Sequence, residues 1–153
     1  MYRPPISQPR VLLVVGHPAV GSALESLLRL ERRYEVRRQR GLAEAIQAAR
    51  AWPPQAVVLD ATLVPEDGKV PLVAPTLVLA GSESESKVAS AALSDPRGWV
   101  ARDAPAADLI AAVERLLTGH AQGAAGSLAV AAVGLLIVVL AALLLYLAWI
   151  AIA

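Results

Sequence analysis

The chain has no cysteine among its 153 residues and only two histidines, His17 and His120. The first absence excludes disulfides, thiolate nucleophiles and cysteine-ligated zinc or iron–sulfur sites. The second leaves any metal site dependent on two rings far apart in sequence, so none is expected. Also missing are a glycine-rich phosphate loop, a Ser-His-Asp order and paired catalytic carboxylates. The chain therefore reads as a non-enzyme with no resident cofactor.

Charge is missing from one end altogether. Arg115 is the last Lys or Arg, and no Asp, Glu, Lys, Arg or His follows His120. Leu128 to Ala153 (LAVAAVGLLIVVLAALLLYLAWIAIA) is 26 residues with nothing more polar than Tyr146 and Trp149. As a helix rising 1.5 Å per residue it would cover roughly 39 Å, enough to cross a hydrocarbon core of about 30 Å with some tilt. Tyr146 and Trp149 fall near its far end, where amphipathic rings favour the headgroup level. The opening MYRPPISQPR holds three prolines and no apolar stretch, so no signal peptide is read there. The expectation is a single-pass anchor in the inner or plasma membrane at 128–153, with the soluble body cytoplasmic. Gly123, Ser127 and Ala131 form a small-residue stripe that leaves a homodimer through the span open.

A net charge of +1 argues against a strong polyanion binder, and no nucleic-acid partner is expected. The charge is uneven: six arginines lie within residues 29–40, accompanied only by Glu31 and Glu35. A solvated helix end and edge strand account for them, with an anionic leaflet or nucleic acid as the alternatives.

Apolar runs VLLVV (11–15), AVVL (56–59) and TLVL (76–79) read as strands covered on both faces. YEVRRQ (34–39) reads as an edge strand and GWVA (98–101) as a brief strand. Helical spacing joins Val20, Leu24, Leu27 and Leu28, then Leu42, Ala45, Ile46 and Ala49, then Leu109, Val113, Leu116 and Leu117. Ser82 and Glu85 have capping-box spacing ahead of a short helix near Lys87 to Leu93. Gly119 is read as the stop of the last soluble helix. This alternation predicts a parallel sheet between helices. The expected divisions are a flexible leader at 1–9, a domain at 10–118, a linker at 119–127 and the anchor at 128–153.

The fragments RVLLVVGHPAV (10–20), YEVRRQRGLAEAIQAARAWPPQAVVLD (34–60) and GWVARDAPAADLIAAVERLLTGH (98–120) resemble a response-regulator receiver domain, closest to receivers that precede a LuxR-type output. The resemblance implies a flavodoxin-like fold with strand order 2-1-3-4-5 and a ligand site beyond the carboxyl ends of the strands. It places the phosphoacceptor on Asp60. The metal-binding acids fall on Val15 and Gly16, ahead of the matching His17 and Pro18. The switching hydroxyl falls on Ala80, with Ser82 two residues on, and the family lysine falls on Arg102. Neither Val15 nor Gly16 offers a side-chain oxygen to a hard cation. Asp60 is therefore read as a structural carboxylate, paired with Arg102 or capping the following loop. The family glycine appears as Gly68, but Pro71 and Pro75 leave no room for an ordinary third helix. That helix is expected to be short or missing, with Val70, Leu72 and Val73 filling the gap or meeting a partner.

The function this implies is a membrane-tethered pseudo-receiver that binds a protein partner in signal transduction, such as a histidine kinase or a membrane complex. The expected contact face lies near Lys87 to Leu117. One alternative is a phosphorylatable receiver of a two-component phosphorelay that uses Asp60 and magnesium. Another is a membrane-structural protein that oligomerises through its span.

Overall fold

Five parallel strands alternate with helices. A computed structural model of the chain describes residues 7–122. The expected span with Tyr146 and Trp149, and the stripe of Gly123, Ser127 and Ala131, lie outside the described residues, as do positions 1–6 of the expected leader. The elements are β1 (Arg10–Val14), α1 (Pro18–Leu30), β2 (Glu35–Gln39), α2 (Leu42–Ala51), β3 (Ala56–Asp60), a 3-10 turn (Ala61–Leu63), β4 (Thr76–Ala80), α3 (Glu83–Ala92), β5 (Pro96–Ala101) and α4 (Ala106–Gln122). The sheet order is β2-β1-β3-β4-β5, all pairs parallel. By its contacts the chain divides into two units, Met1–Leu117 and Thr118–Ala153. Among the described residues no helix is long and apolar enough to cross a membrane.

The period of two along the inner strands sorts their side chains into two cores. Val11, Leu13, Ala56, Val58, Leu77 and Leu79 face one side, with Leu28 of α1 and Leu109, Val113 and Leu116 of α4. Leu12, Val14, Val57, Leu59, Val78 and Ala80 face the other, with Ala45 of α2 and Ala89 and Ala92 of α3. Both faces of β1, β3 and β4 are thus covered, which is why these strands are apolar without a break. The edge strand β2 instead alternates, burying Val36 while Arg37 is exposed. Arg37 lies 4.7 Å above the Trp52 ring, and the indole N–H donates to Glu35 Oε1 at 3.3 Å.

Between β3 and β4 the described chain forms no helix beyond the 3-10 turn, and Val70 makes one isolated parallel bridge with Leu93. Val70 and Leu72 drop into the core beside α3, and the Val70 N–H donates to the Ala92 carbonyl at 2.8 Å. They fill the face a third helix would cover, while Val73 stays 86% exposed. Gly68, with φ +133°, lets the loop turn where an L side chain is strained.

Three sequence expectations are corrected. α3 begins at Glu83 rather than near Lys87, because the Ser82 hydroxyl already caps it by accepting from the Glu85 N–H. α4 runs through Gly119 to Gln122, four residues into the expected linker; one glycine costs a helix only about 1 kcal/mol, too little to halt one of 17 residues. Gln8 and Pro9, assigned to a flexible leader, are tied down: Gln8 donates to the Arg32 carbonyl, and the Pro9 carbonyl accepts from the Glu35 N–H.

Candidate functional site

The ends of β3, β4 and β5 bring together Asp60, Glu85 and Arg102. Asp60 closes β3, a strand buried along its whole length, so the residue is only 6% exposed. Burial obliges such a group to find partners. Asp60 Oδ1 accepts from the Thr62 N–H at 3.0 Å and the Thr62 hydroxyl at 2.9 Å, capping the 3-10 turn. Arg102 Nε donates to the same oxygen at 3.1 Å, with Nη2 at 3.0 Å. Asp60 therefore caps the following loop and pairs with Arg102 at once. None of these bonds reaches Oδ2, which keeps contact with solvent.

Arg102 follows β5 directly and is anchored by its own N–H to the Ala80 carbonyl at 3.1 Å. Its Nη2 also donates to Glu85 Oε1. The planar guanidinium thus bridges a buried and a more exposed carboxylate, which a single ammonium cannot match in geometry. Glu85 Oε2 accepts from the Gly81 N–H at 2.7 Å. Hydrogen bonding by Arg102, then by the Gly81 amide, holds the Glu85 carboxyl below the usual glutamate range. The bond to Glu85 acts in the opposite direction on Arg102, raising its pKa, with the Asp60 charge also contributing. The guanidinium is cationic throughout the accessible pH range.

The remaining pocket positions are apolar or already engaged. Val15 is buried in the α1–α4 core. A Cβ on Gly16 would stand 3.3 Å from Leu63 Cδ2 and 3.6 Å from the Arg40 carbonyl, so Leu63 fills the corner where an acid would project. Ala80 is fully buried in the opposite core. The Ser82 hydroxyl is occupied with the Glu85 N–H and with Ser84 Oγ, 3.0 Å away. His17 is exposed and stands at the N-cap of α1 through its backbone, while His120 lies in α4. Among the described residues no three His, Asp or Glu side chains gather as a metal site.

A divalent cation of the kind receivers use needs a cluster of hard oxygens. Here the acid pair is absent, and the two carboxylates present, Asp60 and Glu85, already share the Arg102 guanidinium. The residues present do not fit that ion.

Sequence reasoning found Asp60 and Arg102 but missed Glu85 and Thr62 as site residues. Glu85 was visible only as a capping residue, whose side chain is ordinarily spent on the helix's own backbone. The one available signal was its place just after β4, at the sheet end where the site lies.

The arginine-rich segment is largely paired. Arg29 and Arg38 share Glu25, at 2.7 and 3.2 Å, and Arg33 pairs with Glu114 at 2.9 Å.

No family model matches the chain, and no curated protein matches it. Solved structures do. A protein named as a response regulator from Chloroflexus aurantiacus J-10-fl is 27% identical, with a TM-score of 0.63, over 73% of this chain and 99% of that one. A two-component response regulator of the LuxR family from Aurantimonas sp. SI85-9A1 is 26% identical, with a TM-score of 0.62, over 74% and 87%. A CheY-like receiver domain protein from Methanospirillum hungatei JF-1 shares only 16% identity but the same fold, at a TM-score of 0.63 over 76% and 99%. The structural neighbours are receiver domains of response regulators, LuxR-family chains among them, and the fold is the flavodoxin-like α/β fold of CheY.

Proposed function

We propose that this chain is a pseudo-receiver: a signalling module that works by binding a protein partner rather than by accepting phosphate. The observation that carries the reading is the Arg102 bridge. A protein cation joins Asp60 to Glu85, while Val15 and Gly16 stand where the resemblance places the metal-binding acids. Phosphoryl transfer onto a carboxylate brings two anions together and needs their charge neutralised at the reacting oxygens. With Oδ1 saturated and no oxygen cluster for a metal, that neutralisation is missing. A partner such as a histidine kinase or a membrane complex would be met through the α3–β5–α4 surface, Lys87 to Leu117. Residues 128–153 would hold the domain on the cytoplasmic face of the membrane.

The test is incubation of the full chain with acetyl phosphate and magnesium, followed by intact mass measurement. The expected result is no phosphoryl adduct. An adduct abolished by Asp60→Asn would establish the second reading, a working phosphoacceptor, which the solvent contact of Asp60 Oδ2 favours. Flotation of the chain with liposomes, lost on deletion of 128–153, tests the tether separately.

A further inference from the structure

Because all five strands are parallel, each helix that joins two of them returns from the carboxyl end of the sheet to its amino end. α4 does the same after β5, since its Glu114 meets Arg33, just ahead of β2, at 2.9 Å. Strand starts and helix ends therefore share one end of the domain, and strand ends and helix starts share the other.

Charge sorts between these ends. At the carboxyl end, Glu44, Glu83, Glu85 and Asp108 lie in the first turns of α2, α3 and α4, while Asp60 and Asp103 sit at or just past the ends of β3 and β5. At the amino end, Arg29 and Arg50 lie in the last turns of α1 and α2, Arg10 and Arg97 in the starts of β1 and β5, and Arg32 and Arg33 in the turn between α1 and β2. With Arg115 of α4 these are seven arginines, against five acids: Glu25, Glu31, Glu35, Asp95 and Glu114. Four of the acids are committed, Glu25 to Arg29, Glu35 to Arg10, Asp95 to Arg97 and Glu114 to Arg33. Arg32 and Arg50 are exposed and form no ion pair among the described residues. The helix dipole favours a base in a last turn, which accounts for Arg29 and Arg50. It gives no reason for Arg32, which has a left-handed φ of 52°, or for Leu30 nearby, an apolar side chain 78% exposed.

The chain also leaves the domain at this end. The unit closes at Leu117 on α4, and the apolar run that starts at residue 128 is eleven positions on. Eleven residues reach at most about 40 Å when fully extended, so a bilayer that held this run would lie within reach of the arginines. We infer that the amino end of the sheet rests on an anionic bilayer, with Arg32 and Arg50 against the lipid headgroups and Leu30 dipping between them. The inference rests on the reading of 128–153 as a membrane anchor, and it adds the docking face and the lipid charge to that reading. The opposite end, with Asp60 and Glu85, then stays open to a protein partner.

The chain has no cysteine, so a single introduced thiol carries a fluorophore without background. Ala51→Cys and Ala43→Cys are exposed positions at the two ends of α2, eight residues and about 12 Å apart. Each labelled full-length chain is incorporated into vesicles of phosphatidylcholine mixed with phosphatidylserine, or of phosphatidylcholine alone, with a nitroxide quencher on some headgroups. The expected result in the mixed vesicles is several-fold stronger quenching of the Ala51→Cys label than of the Ala43→Cys label. That preference should fall to near parity in phosphatidylcholine alone, at high salt, and in chain carrying Arg32→Glu with Arg50→Glu, whose fold circular dichroism checks. Equal quenching of the two labels in the mixed vesicles, in chain that floats with them, overturns the inference and leaves the anchor standing. A preference that persists unchanged in neutral vesicles also overturns it, because the domain is then oriented without anionic lipid. Chain that floats with neither kind of vesicle overturns the anchor, and the inference falls with it.

Discussion

Arg102 Nη2 lies 3.0 Å from Asp60 Oδ1 and also donates to Glu85 Oε1, so one guanidinium ties the end of β3 to the first turn of α3. The pairing stabilises the fold chiefly because of what its loss would leave behind. Asp60 is 6% exposed, and without Arg102 it would keep only the Thr62 bonds for its charge. Arg102→Ala should therefore destabilise the domain by about 2 to 3 kcal/mol. Arg102→Ala together with Asp60→Asn should recover part of that loss, since no buried charge is then left unpaired. Urea denaturation of the single and double variants measures both; equal stability of Arg102→Ala and the native chain would remove the bridge from the account.

Acid should loosen the same bridge from its other end. Glu85 is held below the ordinary glutamate range by Arg102 first and the Gly81 amide second. Its folded form thus binds fewer protons than its unfolded form near about pH 4.3. The stabilisation is complete above that region and disappears as pH falls through the lower folded value. Glu85→Gln never carries this charge, so its melting temperature should lie below that of the native chain at pH 7. The two curves should draw together as pH drops below 4. Parallel curves across the whole range would show that Glu85 does not contribute.

The legibility of these features in the sequence follows from the range over which each acts. Unbroken apolar runs such as VLLVV and AVVL announce buried parallel strands because a strand covered on both faces has no polar side to show. Prolines 71 and 75 announce the lost helix because their effect on the backbone is local. Asp60 and Arg102 are 42 residues apart, so only the family resemblance could bring them together. Leu63 in the Gly16 corner was beyond reach altogether: nothing in ATL says which way the leucine turns. Gly119 misled for a physical reason, since a helix already propagating passes one glycine at small cost.

Restoring the acid pair should fail unless the corner is emptied first. Val15→Asp buries a carboxylate in an apolar core and should cost roughly 3 kcal/mol or more. Gly16→Asp must displace Leu63, which would stand 3.3 Å from the new Cβ. Gly16→Asp with Leu63→Ala and Arg102→Lys provides room, a second carboxylate and a mobile ammonium. Titration calorimetry with magnesium should give no heat with the native chain and measurable binding with the triple variant. Magnesium binding by the native chain would contradict the fit argued for the site.

The loop between β3 and β4 offers the plainest test of how a receiver-like sheet keeps its core without a third helix. Leu72 and Val73 are neighbours with opposite fates: Leu72 is 2% exposed and packed into the core with Val70, whereas Val73 is 86% exposed. If the loop is a plug, the two must differ sharply in energetic weight despite similar chemistry. Leu72→Ala removes buried methyls and opens a cavity, which should cost about 2 to 4 kcal/mol. Val73→Ser exchanges one solvated side chain for another and should fall within about 0.5 kcal/mol of the native chain. Val70→Ala should be intermediate, since its backbone bond to Ala92 survives the loss of the side chain. Urea midpoints in the order Val73→Ser, Val70→Ala, Leu72→Ala would place the plug in the core. A Leu72→Ala chain as stable as the native one would mean that the sheet face is held without it, and that the helix was not replaced at all.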